Sequence, residues 1–180
     1  MVSIKYSFVF LLSTASVVLA TLAQIELQLG FVSSNSTNLD NLLNAFPTTG
    51  ASVAEALAIH SAAVSFSASL STMATITTEN GPLLSQSVDA STLIFDDVLM
   101  CGNNLQNALF EIVVKKPSFT ALPIGGLPAL VLNDLDNLNA SSIAFADSFI
   151  AVAPESLLPN ATALKATVLS EFATAIAAYS

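Results

Sequence analysis

Few side chains in this sequence are able to do chemistry. His60 is the sole histidine and Cys101 the sole cysteine, and 4 Lys and Arg stand against 13 Asp and Glu. A catalytic His60 would need an orienting acid and a nucleophile within reach. The acid nearest to it in sequence, Glu55, is committed to Ser52-Val53-Ala54-Glu55, a pattern in which serine and glutamate satisfy each other's backbone N–H at a helix start. His60 is therefore expected to be structural or on the surface. Asp96 and Asp97 would point in different directions on a helix and read as solvated rather than paired. There is no G-x-S-x-G elbow, no glycine-rich phosphate loop and no His/Cys spacing suited to a metal. Neither catalysis nor a cofactor or metal is expected.

What the sequence offers instead is apolar recognition. Phe66, Leu70, Met73, Ile94, Val98, Cys101, Leu105, Ser142, Phe145, Phe149, Val168 and Phe172 recur at helical spacing and mix large side chains with small ones. Small residues on facing stripes either let helices approach closely or leave a void between helices that aromatics hold apart. Periodicity leaves both open. A void lined by Phe, Leu, Ile and Met with a few hydroxyls suits an acyl chain. At about 0.8 kcal/mol per buried methylene, a sixteen-carbon chain offers roughly 12 kcal/mol gross. Immobilisation and desolvation of the head remove several of those. With no Arg and little Lys, a ligand carboxylate is expected to rest on Ser or Thr hydroxyls. The same composition would let helix faces exchange core contacts for a hydrophobic surface, and the sequence does not separate the two. Cys101 has no cysteine to pair with and falls on an apolar face, so it is expected to pack as a small buried hydrophobe.

Five helical segments must position these residues. Ile25, Leu29, Val32, Ser36, Leu39, Leu43 and Phe46 step by fours and threes until Pro47-Thr48-Thr49-Gly50 breaks the run. A second helix opens at Ser52 and carries Ile59, Ala63, Phe66, Leu70, Met73 and Ile76 before Asn80-Gly81-Pro82. A third carries Ile94, Val98, Cys101, Leu105, Ala108 and Ile112. The fourth has Val131, Leu135, Leu138, Ser142, Phe145, Phe149 and Val152. Pro154 and Pro159 separate it from a fifth, with Leu164, Val168, Phe172, Ala175 and Tyr179. No stretch alternates with period two for long enough to be a strand. The expected fold is all-α, a single-domain bundle of about five antiparallel amphipathic helices spanning 24–180. The second helix is nearly free of charge, but its crowd of Ser and Thr reads as a hydroxyl-rich outer face rather than a membrane span.

The connector KKPSFTALPIGGL, 115–127, follows the third helix. Lys115 is spaced to pair with Glu111, and both lysines sit where a helix C-terminus favours cations. Pro117 is expected to stop that helix, Gly125-Gly126 to reverse the chain, and Pro128 to lie in the next first turn.

The bulk composition sets the remaining bounds. The chain has 180 residues, 53% of them hydrophobic and 9% charged, with net charge −9. That is one domain's length, too apolar for disorder and too acidic for nucleic acid. Lys5, the apolar run YSFVFLLSTASVVLA and the small residues after it have the anatomy of a signal peptide over 1–23, cleaved after Ala20 or Ala23. A secreted product with no transmembrane segment after cleavage is expected, and EFATAIAAYS carries no glycolipid-anchor pattern. Asn35, Asn139 and Asn160 head N-glycosylation triplets. Of these, Asn160 follows a proline in an expected loop and is the best placed.

KKPSFTALPIGGLPALVLNDLDNL, with SSIAFADSF and the closing ATALKATVLSEFATAIAAY, resembles the fungal hydrophobic-surface-binding and cell-wall galactomannoprotein family. LDNLLNAFP and the later GPL fit as well, so the likeness runs from about Ile25 to Tyr179. It implies a secreted, often mannosylated five-helix bundle, associated with hydrophobic surfaces, the cell wall and its polysaccharide, or long-chain fatty acids held inside the bundle. A Ser/Thr-rich tail, found in the longer wall proteins, is missing. The alternative is a structural cell-wall mannoprotein or antigen with no small-molecule ligand. A helical inhibitor of a secreted enzyme is weaker, because the comparable plant-type bundles rely on disulfides.

Overall fold

The computed structural model describes residues 3–80 and 88–180, with side chains over 23–79 and 93–180. Among the described residues there are six helices and no strand: α1 (Ser3–Ala45), α2 (Val53–Asn80), α3 (Val88–Val114), α4 (Lys116–Thr120), α5 (Leu127–Val152) and α6 (Leu158–Tyr179). Five are the expected ones. The short α4 is additional, because Pro117 opens a new turn instead of only ending the old one. Both expected cleavage points fall within the α1 range; the side chain of Ala20 lies outside the described residues and that of Ala23 is exposed. Gly81, Pro82 and Leu83, which follow Asn80, lie outside the described residues.

Local chemistry sets the helix ends. Ser52 Oγ accepts from the Glu55 N–H at 3.2 Å, while Glu55 Oε2 accepts from the Ser52 N–H at 2.7 Å, closing the capping box before α2. The Ser52 hydroxyl, which donates to Glu55 Oε2 at 2.6 Å, and secondarily the Ser52 N–H hold the Glu55 carboxyl below its usual range. Gly126 adopts φ of 91°, a conformation that L side chains rarely take, and α5 starts immediately after it with Pro128 in its first turn.

The apolar stripes face inward. Every residue of the α1, α2 and α3 stripes is buried, Ser36 included. Those of α5 and α6 are buried too, apart from Val152 and Leu164, which are half-buried. On α2 the outward hydroxyls of Ser65, Ser71, Thr72, Thr75 and Thr78 donate to the carbonyl four residues earlier, at 2.8–3.2 Å. By length and composition α2 could cross a membrane. In the bundle it lies between α1 and α5 with Phe66 and Met73 sealed from solvent.

The five long helices form a closed ring in the order α1, α2, α5, α6, α3 and back to α1. Chain-consecutive helices run antiparallel, but three of the lateral pairs run parallel. Asn104 reaches Thr37 and Asn107 reaches Asp40, so α1 and α3 ascend together. His60 meets Asp134 and Ser67 meets Ser141, which aligns α2 with α5. Gly102 abuts Leu164 and Ile112 pairs with Tyr179, which aligns α3 with α6. An odd ring cannot alternate throughout. One consequence is that α1, α3 and α6 bring their C-termini to the same end, here called the lower end.

The two adjacent lysines serve that end. Lys115, 6% exposed, donates to the carbonyls of Leu43 and Asn44, at 2.5 and 2.8 Å, in the last turn of α1. It also pairs with Glu111 at 3.4 Å, as the spacing predicted. Lys116 donates to the Ala178 carbonyl of α6 and stands over the Tyr179 ring. Each lysine thus donates to carbonyls at the negative end of a neighbouring helix. Phe119 of α4 stacks on Phe46 at 4.3 Å and Ser118 donates to the Thr48 carbonyl, closing the floor of the ring.

Candidate functional site

Inside the ring lie two hollows, one above the other. The lower has a cavity volume of about 30 Å³ and is walled by α1, α2, α3 and α5, with Phe119 beneath. The upper has about 70 Å³ between α2, α3, α5 and α6. A single water needs about 10–15 Å³ by this measure, so both are real but narrow. Leu105 lines both and is the partition between them.

Facing stripes build the upper hollow. α2 contributes Phe66 and Leu70, and α3 contributes Phe95, Val98, Cys101, Gly102 and Leu105. α5 adds Ser142, Phe145, Ala146, Phe149 and Ile150, and α6 adds Ala161, Leu164, Lys165, Val168 and Leu169. Phe149 lies between two other rings, 6.2 Å from Phe95 and 6.3 Å from Phe145. These rigid rings hold α3 and α5 apart where smaller residues would let them close. Gly102 allows the opposite on its side of the wall: a Cβ there would sit 2.8 Å from Leu164 Cδ1.

Nine of the twelve residues singled out in the sequence meet here: Phe66, Leu70, Val98, Cys101, Leu105, Ser142, Phe145, Phe149 and Val168. Met73, Ile94 and Phe172 are buried in the core but do not line the hollow. Eight further lining residues were not singled out, Phe95, Gly102 and Lys165 among them. Phe95 sits one position off the chosen stripe, and nothing in the periodicity marks a glycine as a wall.

Two polar side chains belong to the wall of this apolar space. Lys165 pairs with Asp147 across the α5–α6 seam, its side chain 24% exposed. Ser142, 8% exposed, has a fully covered Oγ with no hydrogen-bond partner. A cation on the wall differs from the sequence expectation, in which hydroxyls alone would receive a carboxylate. Cys101 is buried and free, and burial pushes its thiol pKa up despite hydrogen bonds with Ser36 and Ser33.

His60 has the acid that the sequence did not place beside it. Its Nδ1 lies 2.8 Å from Asp134 Oδ2 and 3.0 Å from Oδ1, on the wall of the lower hollow. Burial pushes the Asp134 carboxyl above its usual range, and the bond to His60 only partly offsets this. The pair ties α2 to α5. Among the described residues no group of three His, Cys, Asp or Glu side chains is placed to hold a metal.

The glycosylation triplets differ in access. Asn160 is exposed, but it lies in the first turn of α6 rather than in a loop. Asn35 lies on α1 and its amide donates to the Ser65 carbonyl at 3.4 Å. Asn139 is half-buried on α5, with its Oδ1 covered and unpartnered.

No protein-family model matches the sequence, and no curated protein does. Solved structures do. AfMP4p in complex with palmitic acid superposes with a TM-score of 0.76 over 88% of this chain and 99% of its own, at 21% identity. Ligand-binding domain 1 of the Penicillium marneffei MP1 protein, complexed with arachidonic acids, gives 0.72 over 86% and 95%, at 16% identity. Domain 2 of the same protein, with multiple arachidonic acids, gives 0.71 over 90% and 96%, at 12% identity. The chain shares their fold. At these identities the likeness concerns the path of the backbone and leaves the side chains of the hollow to be read on their own chemistry.

Proposed function

We propose that this chain is a secreted, non-enzymatic binder of a long-chain fatty acid, of the fungal cell-wall galactomannoprotein type. The acyl chain lies in the upper hollow and its carboxylate rests at Lys165, in exchange for Asp147. The observation that carries the reading is the hollow itself: an aromatic- and leucine-lined space inside the ring, with a single cation on its wall. The structures that share the fold were solved with palmitic and arachidonic acids, which supports it. A full-length acyl chain needs more room than the upper hollow offers. Swinging Leu105 aside would join the two hollows into one channel along the bundle axis.

Native mass spectrometry of the secreted, deglycosylated protein, with organic extraction of bound material, is the test. A stoichiometric fatty acid is expected. Leu70→Trp or Phe145→Trp should abolish uptake while helical circular dichroism persists, because either indole fills the hollow. Failure of the protein to take up any added fatty acid would sink the reading.

A second reading, adsorption to hydrophobic surfaces or the cell wall, has its own observation. Phe31 on α1 and Leu93 and Phe110 on α3 are 54%, 69% and 60% exposed, on two neighbouring helices. Adsorption to an alkyl-coated surface that survives Phe145→Trp but is lost on replacing these three by Ser would favour it. Asn160 is the acceptor we assign first for N-glycosylation, on exposure.

A further inference from the structure

A serine in the wall of the hollow points to a narrower ligand class. Buried helix serines have a local solution to their desolvation, which is to donate back to a carbonyl of the preceding turn. Ser36 donates to Ser33, Ser69 to Phe66 and Ser141 to Leu138, at 2.8–3.1 Å. Ser142 makes no such bond, and its hydroxyl is covered on the wall of the upper hollow. An unmet hydroxyl in an apolar space is costly, and a plain hydrocarbon chain beside it would leave it unmet.

The missing partner has constraints. It is not well suited to be the carboxylate, since an ionised group sealed against one neutral hydroxyl would be poorly compensated, and Lys165 offers it a charge partner with access to water. A lone water would need two to four polar partners, and the surrounding wall is almost entirely hydrocarbon. What remains is a neutral oxygen brought in by the ligand. Its position follows from the helix. Lys165 pairs with α5 at Asp147, and Ser142 lies five residues before it, roughly 7.5 Å along the axis at 1.5 Å per residue.

We propose that the hollow selects an acyl chain carrying a neutral oxygen part-way along it, a mid-chain hydroxy or epoxy fatty acid, with that oxygen hydrogen-bonded to Ser142 once a rotation about its Cα–Cβ bond turns the covered hydroxyl into the space. The inference rests on the fatty-acid reading above and deepens it. The test is calorimetric titration with palmitic acid and with sixteen-carbon acids hydroxylated near the carboxylate, at mid-chain and at the methyl end. The mid-chain isomer should bind about three- to tenfold more tightly than palmitic acid, the gain from one net hydrogen bond. Ser142→Ala should erase that preference, so that the mid-chain isomer binds the variant no more tightly than palmitic acid binds the same variant. Equal affinities for all isomers, or a preference that persists in Ser142→Ala, would overturn the inference while the fatty-acid reading stands. A loss of palmitic acid binding in Ser142→Ala would also overturn it, by making Ser142 the carboxylate's partner. If no acid binds, both fall together.

Discussion

At the scale of single residues, the informative groups are those whose surroundings disagree with their chemistry. Asp134 is one, a carboxyl only 8% exposed with one imidazole as partner. Because burial raises its pKa above 3.8, the folded chain holds this proton to higher pH than the unfolded chain does. Its contribution to stability is therefore fullest below that value and declines as pH climbs through the raised one. Asp134→Asn removes the titration. Urea midpoints measured at about pH 4 and about pH 7 should fall less in the variant than in the parent, the midpoint reporting stability. Running both in a His60→Gln background confines the comparison to the carboxyl. An identical fall would mean that the carboxyl is hydrated in solution. His60 also shows where sequence reading stops. Its acid partner is 74 residues away, and no local spacing could have named it.

At the scale of helices, the stripes were legible and their partners were not. A 3.6-residue period tells which face of a helix is buried, and for α1, α2 and α3 every residue chosen that way is buried. It does not tell which helix lies opposite. Phe95 was passed over because it adjoins Ile94 on the stripe, yet a helix that touches two neighbours buries an arc wide enough for both. The connector was read as a stop and a turn, which Gly126 and Pro128 fulfil, but α4 came from Pro117 starting a turn as well as ending one. Leu105 belongs to this scale because it divides the space that α3 shares with the other helices. Leu105→Ala should cost about 2–5 kcal/mol of stability. It should also shift the preferred ligand toward longer acyl chains, read by competition between acids of graded length. A destabilised variant with unchanged length preference would mean that the two hollows do not join.

At the scale of the whole molecule, the ring is the organising fact. Short loops suggest an antiparallel bundle, and the sequence supported one. The parallel pairs α1–α3, α2–α5 and α3–α6 emerge only when five helices close on themselves. Gathering three C-termini at one end explains why a chain so poor in cations sets two of them side by side. Lys115→Met would take the ammonium away from the Leu43 and Asn44 carbonyls, leaving Leu43 with only the Phe46 N–H at 3.2 Å. It should lower stability by about 2–3 kcal/mol, since bonds to a charged donor are among the stronger ones, and Tm by roughly 5–10 °C. Lys115→Arg, which keeps the charge but not the compact head, should recover only part of that loss. A Tm unchanged in Lys115→Met would show that solvent satisfies those carbonyls as well as the ammonium does.

The engagement of the lysines reaches beyond stability. The sequence contains no arginine, and within the helical domain its lysines are Lys115, Lys116 and Lys165. All three have their ammonium groups engaged, two on helix-end carbonyls and one on Asp147. Digestive enzymes of the trypsin type read a basic side chain presented on an extended strand, and here each such side chain is held in or beside a helix. Such an enzyme would find its few cutting sites folded out of reach, and one of them is followed by Pro117. The residues that hold the lower end of the ring together are thus the ones that would deny those proteases a place to begin.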